Sequence, residues 1–205
     1  MDEEIKENEI KIILLGDSGV GKTSLINMAL GRKFDDSQIP TMFLSFTPKK
    51  VLINNKEYQL NLWDTIGQER LRQLTKLFYT NSKIALFVYE CVSRTTFNSL
   101  DFWVKDVETK LGENIIKGVV ANKIDLYLQE QVKLQEGEEY AKKIDAKFLE
   151  ISAKNGDPDT FLKFLIDLSK DYLDQKNSDP NNKNKLTIGT KDNNNSQIIN
   201  KKKCC

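Results

Sequence analysis

The sequence predicts an α/β fold of three layers: a six-stranded, mostly parallel sheet with one antiparallel edge strand, covered on its faces by five helices. Three observations predict it. Apolar runs of strand length alternate with stripes of helical period along most of the 205 residues. One tight pair, Asn54-Asn55, joins two strand-like stretches as a hairpin. Residues 16–24, GDSGVGKTS, stand between an apolar run and a helical one. Sheets of this kind bind ligands beyond the carboxyl ends of their strands, and the motifs below fall there.

In order, residues 10–15 (IKIILL) read as a buried strand, and Leu25, Met28 and Ala29 as the inner stripe of the first helix, with Gly31 its C-cap. Residues 42–53 and 56–63 form the hairpin, the second arm alternating through Tyr58, Leu60 and Leu62. A short helix is expected over 70–79 and a strand over 84–89 (IALFVY). Phe97, Leu100, Trp103, Val104, Val107 and Leu111 mark one helix over 95–111. A strand over 115–121, a weaker helix over 135–144 and a short strand over 148–151 follow. Asp157-Pro158 opens the last helix, whose inner face carries Phe161, Leu165, Leu168 and Tyr172.

These elements make one domain over residues 9–176, after a flexible N-terminus at 1–8. Residues 177–205, rich in Asn and Lys, read as a disordered tail. Hydrophobic content of 39% supplies a core, and 30% charged residues supply a hydrated surface. The absence of histidine excludes His-based metal sites and His general bases. The net charge of +1 hides an asymmetry. Six lysines against Asp179 and Asp192 make the tail +4, which leaves the rest at −3. A body without basic excess argues against nucleic-acid binding. Cys91 stands alone in an apolar context, and Cys204 and Cys205 end the chain, a pattern of reduced thiols and no disulfide framework. No apolar run is long enough to cross a membrane, and residues 1–9 are too acidic for a signal peptide.

Gly-x-x-x-x-Gly-Lys-Thr between a strand and a helix is the phosphate-binding loop of a P-loop NTPase. The glycines let successive N–H groups face one concavity, which Ser18, Gly19, Val20, Gly21 and Ser24 line. Lys22 supplies a cation to the β- and γ-phosphates, and the Thr23 hydroxyl a ligand for Mg²⁺. Asp64 ends the hairpin's second strand, where a carboxylate can hold Mg²⁺ through a water. In the same stretch, WDTIGQER, the Gly67 N–H can register a γ-phosphate and Gln68 can orient an attacking water. Asn122-Lys123-Ile124-Asp125 follows the fifth strand. A carboxylate at Asp125 accepts the N1–H and N2–H₂ of guanine together, while adenine would leave it unpaired. In Ile151-Ser152-Ala153-Lys154, the Ala153 N–H could reach the guanine carbonyl and Ser152 could buttress Asp125.

In order, spacing and loop position these four stretches resemble the Ras superfamily of small GTPases, across residues 8–176. The resemblance implies that Thr41 ligates Mg²⁺ in the GTP state, that Phe34 covers the guanine, and that Asn122, Lys123 and Lys154 shape the base pocket. Within the superfamily GDSGVGKTS and WDTIGQER are close to Rab wording. Phe46, Trp63 and Phe78 match the Rab aromatic triad, and Cys204-Cys205 the Rab double-prenylation signal. That likeness implies a GTP/GDP switch in vesicle trafficking, with Gln68, Lys22 and Thr41 serving a slow hydrolysis. It implies effectors, an exchange factor, a GTPase-activating protein and a prenyl-Rab chaperone as partners. It also implies a monomer at the cytosolic face of an intracellular membrane, held by its prenyl groups, with a soluble cytosolic pool. The chain departs from Rab wording at Phe43, Ser45 and Ile66, all in the regions that partners read. The other reading open at this point is a GTP-binding scaffold with negligible hydrolysis, which Ile66 beside Gly67 keeps open.

Overall fold

The computed structural model describes residues 8–35, 45–64 and 78–178. By internal contacts the chain divides into two units, Met1–Tyr172 and Leu173–Cys205. The first unit holds a six-stranded sheet of order β2-β3-β1-β4-β5-β6. Its strands are β1 (Glu9–Leu15), β2 (Ser45–Ile53), β3 (Lys56–Asp64), β4 (Ile84–Glu90), β5 (Ile116–Asn122) and β6 (Lys147–Glu150). Every neighbouring pair is parallel except β2 with β3, so the expected antiparallel edge strand is β2. Because β3 lies on one side of β1 and β4 on the other, the crevice at the carboxyl end of β1 is where a ligand of this fold binds.

The described residues contain α1 (Lys22–Ala29), α2 (Arg94–Asn98), α3 (Leu100–Leu111), α4 (Leu134–Lys143) and α5 (Pro158–Ser178). The β2–β3 turn forms because Asn54 and Asn55 both take positive φ, 51° and 61°, the conformation a two-residue hairpin requires. At the end of α1, Gly31 (φ 70°) gives its N–H to Met28 and Arg32 gives its own to Asn27, which closes the helix as expected.

Side-chain alternation sorts the core into two faces. Ile13, Leu15, Ala85, Phe87, Tyr89, Val119 and Ala121 join Leu100, Trp103, Val104 and Val107 of α3 and Ala141 of α4 in one apolar cluster. Across the sheet, Leu86 packs beside Gly118, where an added Cβ would meet Leu168 and Phe164 of α5 at 3.0 and 3.1 Å. Gly118 is therefore the notch that seats α5.

The expected single helix over 95–111 is instead two helices meeting at Ser99. The Thr95 carbonyl accepts both the Ser99 hydroxyl and the Ser99 N–H, each at 3.0 Å, so side chain and backbone compete for one acceptor where the two helices meet. The apolar stripe that suggested one helix cannot register that competition. A 3₁₀ turn over Ile124–Gln129 was not anticipated, because Leu126, Tyr127 and Leu128 carry no helical period. Residues 42–44 of the expected second strand, and all but the last two residues of the helix expected over 70–79, lie outside the described residues.

Candidate nucleotide site

The carboxyl ends of five parallel strands place Gly16, Asp64, Glu90, Asn122 and Ile151 along one edge of the sheet. The loop after β1 turns into α1 at Gly21, which has φ 97°. A Cβ there would stand 2.2 Å from Asn122 Nδ2, so the loop closes on Asn122 only because residue 21 is glycine. Lys22 is 5% exposed, and its Nζ donates to Gly16 O at 2.7 Å and Asp17 O at 2.8 Å. Burial pulls its ammonium down to about 8, against the opposing pull of the Asp64 and Asp17 carboxylates. The protein thus carries a desolvated cation at the N-terminus of α1, where an anion is favoured.

Thr23, one residue on, donates its hydroxyl to Asp64 Oδ2 at 2.5 Å, across forty-one residues of sequence. Asp64 is buried, 3% exposed, at the end of β3. Two oxygen donors converging beside a phosphate loop suit Mg²⁺, a hard cation that takes one or two protein oxygens and completes its shell with phosphate and water. Among the described residues no group of three or more acidic or Cys side chains forms a metal cage. Of the described residues, Thr23 and Asp64 are the ones that would hold a magnesium here.

Asn122 is the hub of the other half. It is 1% exposed; its Nδ2 donates to Val20 O at 2.8 Å, and its Oδ1 accepts Lys123 N at 2.8 Å and Ala153 N at 3.0 Å. One amide therefore ties the phosphate loop, the Asn122–Asp125 stretch and the loop after β6 together. The Ala153 N–H, which the sequence reading assigned to the guanine carbonyl, is engaged by Asn122 in the structure. Ser152 Oγ donates to Asp125 Oδ1 at 2.5 Å and accepts Lys154 N and Asn155 N at 3.2 and 3.0 Å. Asp125 is thereby held with one oxygen fixed.

Lys123 sits in the left-handed region, φ 64°, and its ammonium pairs with Glu90 at the end of β4. Cys91 donates its thiol to Lys123 O at 3.2 Å, and burial pushes that thiol up, which keeps it a donor. Phe34 is 39% exposed and lies with the Lys154 ammonium 5.5 Å from its ring centroid, so these two expected pocket residues meet. Ser18 and Gly19 are exposed on the phosphate loop, Val20 is buried beneath it, and Ser24 is half-buried in the first turn of α1.

The aromatic triad is assembled: Phe46 stacks on Trp63 at 5.2 Å, and Phe78 meets Trp63 edge-on at 6.2 Å. Lys11 stands 4.0 Å over the Trp63 ring. Sequence reasoning missed Lys11, Glu90, Cys91 and the bond from Trp103 Nε1 to Asp17 Oδ1 at 3.1 Å. The apolar stripe had assigned Trp103 to the core alone. Thr41, Ile66, Gly67, Gln68, Cys204 and Cys205 lie outside the described residues, as does Phe43.

A family model for the Ras family matches residues 11–165. Over 144 residues the chain is 41% identical to Ras-related protein Rab-21 of Mus musculus, covering 70% of this chain and 65% of the relative. The same identity and span hold for Rab-21 of Homo sapiens, of which 64% is covered. Against Ras-related protein Rab-31 of Rattus norvegicus the chain is 39% identical over 147 residues, 72% of this chain and 75% of the relative. The match to the Rab-21 proteins thus spans just under two thirds of their length.

Proposed function

The chain belongs to the Ras family, in its Rab branch, and from that premise we propose that it is a guanine-nucleotide switch that binds GDP and GTP with Mg²⁺ and hydrolyses GTP slowly. The observation that carries this reading is the Asn122 amide, which joins the phosphate loop to both base-side loops at one end of the sheet. A phosphate site and a base site built on the same side chain fit one ligand with a polyphosphate at one end and a base at the other.

Each residue's task follows from its position. Lys22 leaves the carbonyls of its own loop for the β- and γ-phosphate oxygens. Thr23 and Asp64 (the latter through a water), joined by Thr41 in the GTP state, would hold magnesium, which supplies charge neutralisation to the phosphates. Asp125, its Oδ1 fixed by Ser152, accepts the two donors of the guanine edge, and Phe34, Lys123 and Lys154 enclose the ring. Thr41 and the Gly67 N–H reach for the γ-phosphate, and Gln68 orients the attacking water. Phe46 and Trp63, backed by the buried Phe78, present an apolar surface for effectors to read. Exchange factor, activating protein and prenyl-Rab chaperone are the regulators of such a switch. Cys204 and Cys205 carry two prenyl groups, enough for stable attachment where one chain is marginal, and Lys201, Lys202 and Lys203 add attraction to anionic lipid. The protein then works as a monomer on the cytosolic face of an intracellular membrane, with a cytosolic pool, in vesicle traffic.

The test is displacement of bound fluorescent GDP. Unlabelled GTP and GDP should compete and ATP should not, and Asp125→Asn should shift preference to xanthosine nucleotides, whose acceptor replaces the guanine amino group. Equal competition by ATP and GTP would sink the assignment. Single-turnover phosphate release, lost in Gln68→Leu with GTP affinity kept, separates a hydrolysing switch from a scaffold.

A further inference from the structure

Asp17 is a carboxylate in a loop whose backbone faces a polyphosphate, so its charge works against the ligand unless it is held. Two bonds meet at this residue. Its Oδ1 accepts Trp103 Nε1 at 3.1 Å, and its backbone carbonyl accepts Lys22 Nζ at 2.8 Å. Trp103 is 9% exposed and packs in the apolar cluster with Leu15 and Phe87, so its ring is fixed by its surroundings. An indole N–H donates and cannot accept, which leaves an oxygen acceptor as its partner. Trp103 and Asp17 are eighty-six residues apart in sequence, one on α3 and one in the phosphate loop.

We propose that Trp103 is a positioning residue for the phosphate loop, its indole N–H anchoring the Asp17 carboxylate so that the loop backbone at Asp17 keeps the geometry that retains nucleotide once Lys22 has turned to the phosphates. The role rests on the guanine-nucleotide reading above. The anchor acts through Asp17 and does not touch the ligand. It makes α3, a helix with no residue of its own at the phosphates, a determinant of how fast nucleotide leaves.

The experiment uses the full chain loaded with fluorescent GDP in Mg²⁺ and measures its release. Trp103→Phe keeps the aromatic body and deletes the N–H; Asp17→Ala deletes the acceptor at a half-buried loop position that a fold defect at Trp103 would not reach. Each should speed release about tenfold, the worth of one hydrogen bond to a charged group. The double variant should release no faster than the faster single. Asp17→Asn, which keeps Oδ1, should restore slow release. The two tryptophans give two indole N–H resonances, and that of Trp103 should move in Asp17→Ala and stay in Asp17→Asn. Wild type that retains GDP, with release unchanged in both singles, would overturn the anchor, and so would multiplying effects in the double or an indole resonance indifferent to Asp17→Ala. Wild type that does not retain GDP at all would overturn the nucleotide reading and this role with it.

Discussion

The base side and the phosphate side of the site are organised in opposite ways. On the base side the polar groups satisfy one another: Asn122 bridges three loops, Ser152 holds Asp125, and Glu90 holds the Lys123 ammonium. On the phosphate side a buried lysine is folded back on two carbonyls of its own loop, and burial depresses its proton affinity. The base side is complete in itself and can select by shape and donor pattern. The phosphate side holds a charge in a place that disfavours it, so an arriving anion relieves a cost that already exists. For the proposed ligand, selectivity and affinity would then come from different physics at its two ends.

The most direct way to break the contrast is Lys22→Met. Loss of a buried cation from its anion should weaken GDP and GTP binding by about 3–5 kcal/mol, on the order of 10²–10⁴-fold, as read by equilibrium titration. The pH dependence carries the same signature. Folded Lys22 releases its proton near 8, and the unfolded side chain near 10.5. Between those values the unfolded chain binds the extra proton, so the stability of nucleotide-free protein should rise with pH through that window, by about 3 kcal/mol in all. Urea unfolding in buffers of about pH 7.5 and about pH 10 would measure it, and the rise should be missing in Lys22→Met. A rise of equal size in the variant would place the cost elsewhere.

Asn122→Ala attacks the other side. It strips partners from Val20 O, Lys123 N and Ala153 N together, and buried groups left unpaired cost about 1–3 kcal/mol each. Part of that is recovered by relaxation, so nucleotide affinity should fall about 10²-fold, with the pH-dependent rise of Lys22 intact. Base selectivity should loosen as well, since Asp125 loses the frame that carries its loop. An Asn122→Ala protein with normal affinity and normal discrimination against ATP would show that the bridging amide is ornamental.

How far the sequence reaches is decided by distance along the chain. The phosphate loop, the Asn54-Asn55 turn, the Gly31 cap and the alternation of strands and helices are local patterns, and each is present where local chemistry puts it. The Ser152–Asp125 bond was legible because two motifs had to meet at one sheet end. The break at Ser99 was hidden, since a hydroxyl turned to a carbonyl four residues back leaves the apolar stripe unchanged. Trp103–Asp17 and Glu90–Lys123 were invisible for another reason. They join residues far apart whose pairing depends on which strands are neighbours, and neither Trp103 in a stripe nor Glu90 at a strand end declares a partner.

The smallest effect sharpens the contrast most finely. Glu90 and Lys123 form a partly exposed pair, with side chains 17% and 33% exposed, so their attraction is screened and worth about 1 kcal/mol. Glu90→Gln keeps the shape of the side chain and removes its charge, freeing the Lys123 ammonium to move off the base pocket. Fluorescent GDP should then leave about fivefold faster, in line with that 1 kcal/mol. Because the change lies on the base side, the added speed should be the same with Mg²⁺ present or chelated. It should also be the same for GDP and GTP, which share a base and differ in phosphate. The measurement is release of the two labelled nucleotides from wild type and Glu90→Gln, each with and without chelator. An effect that grows with the extra phosphate, or that vanishes when magnesium is removed, would mean that Glu90 acts through the phosphate loop and that the two sides are not separable.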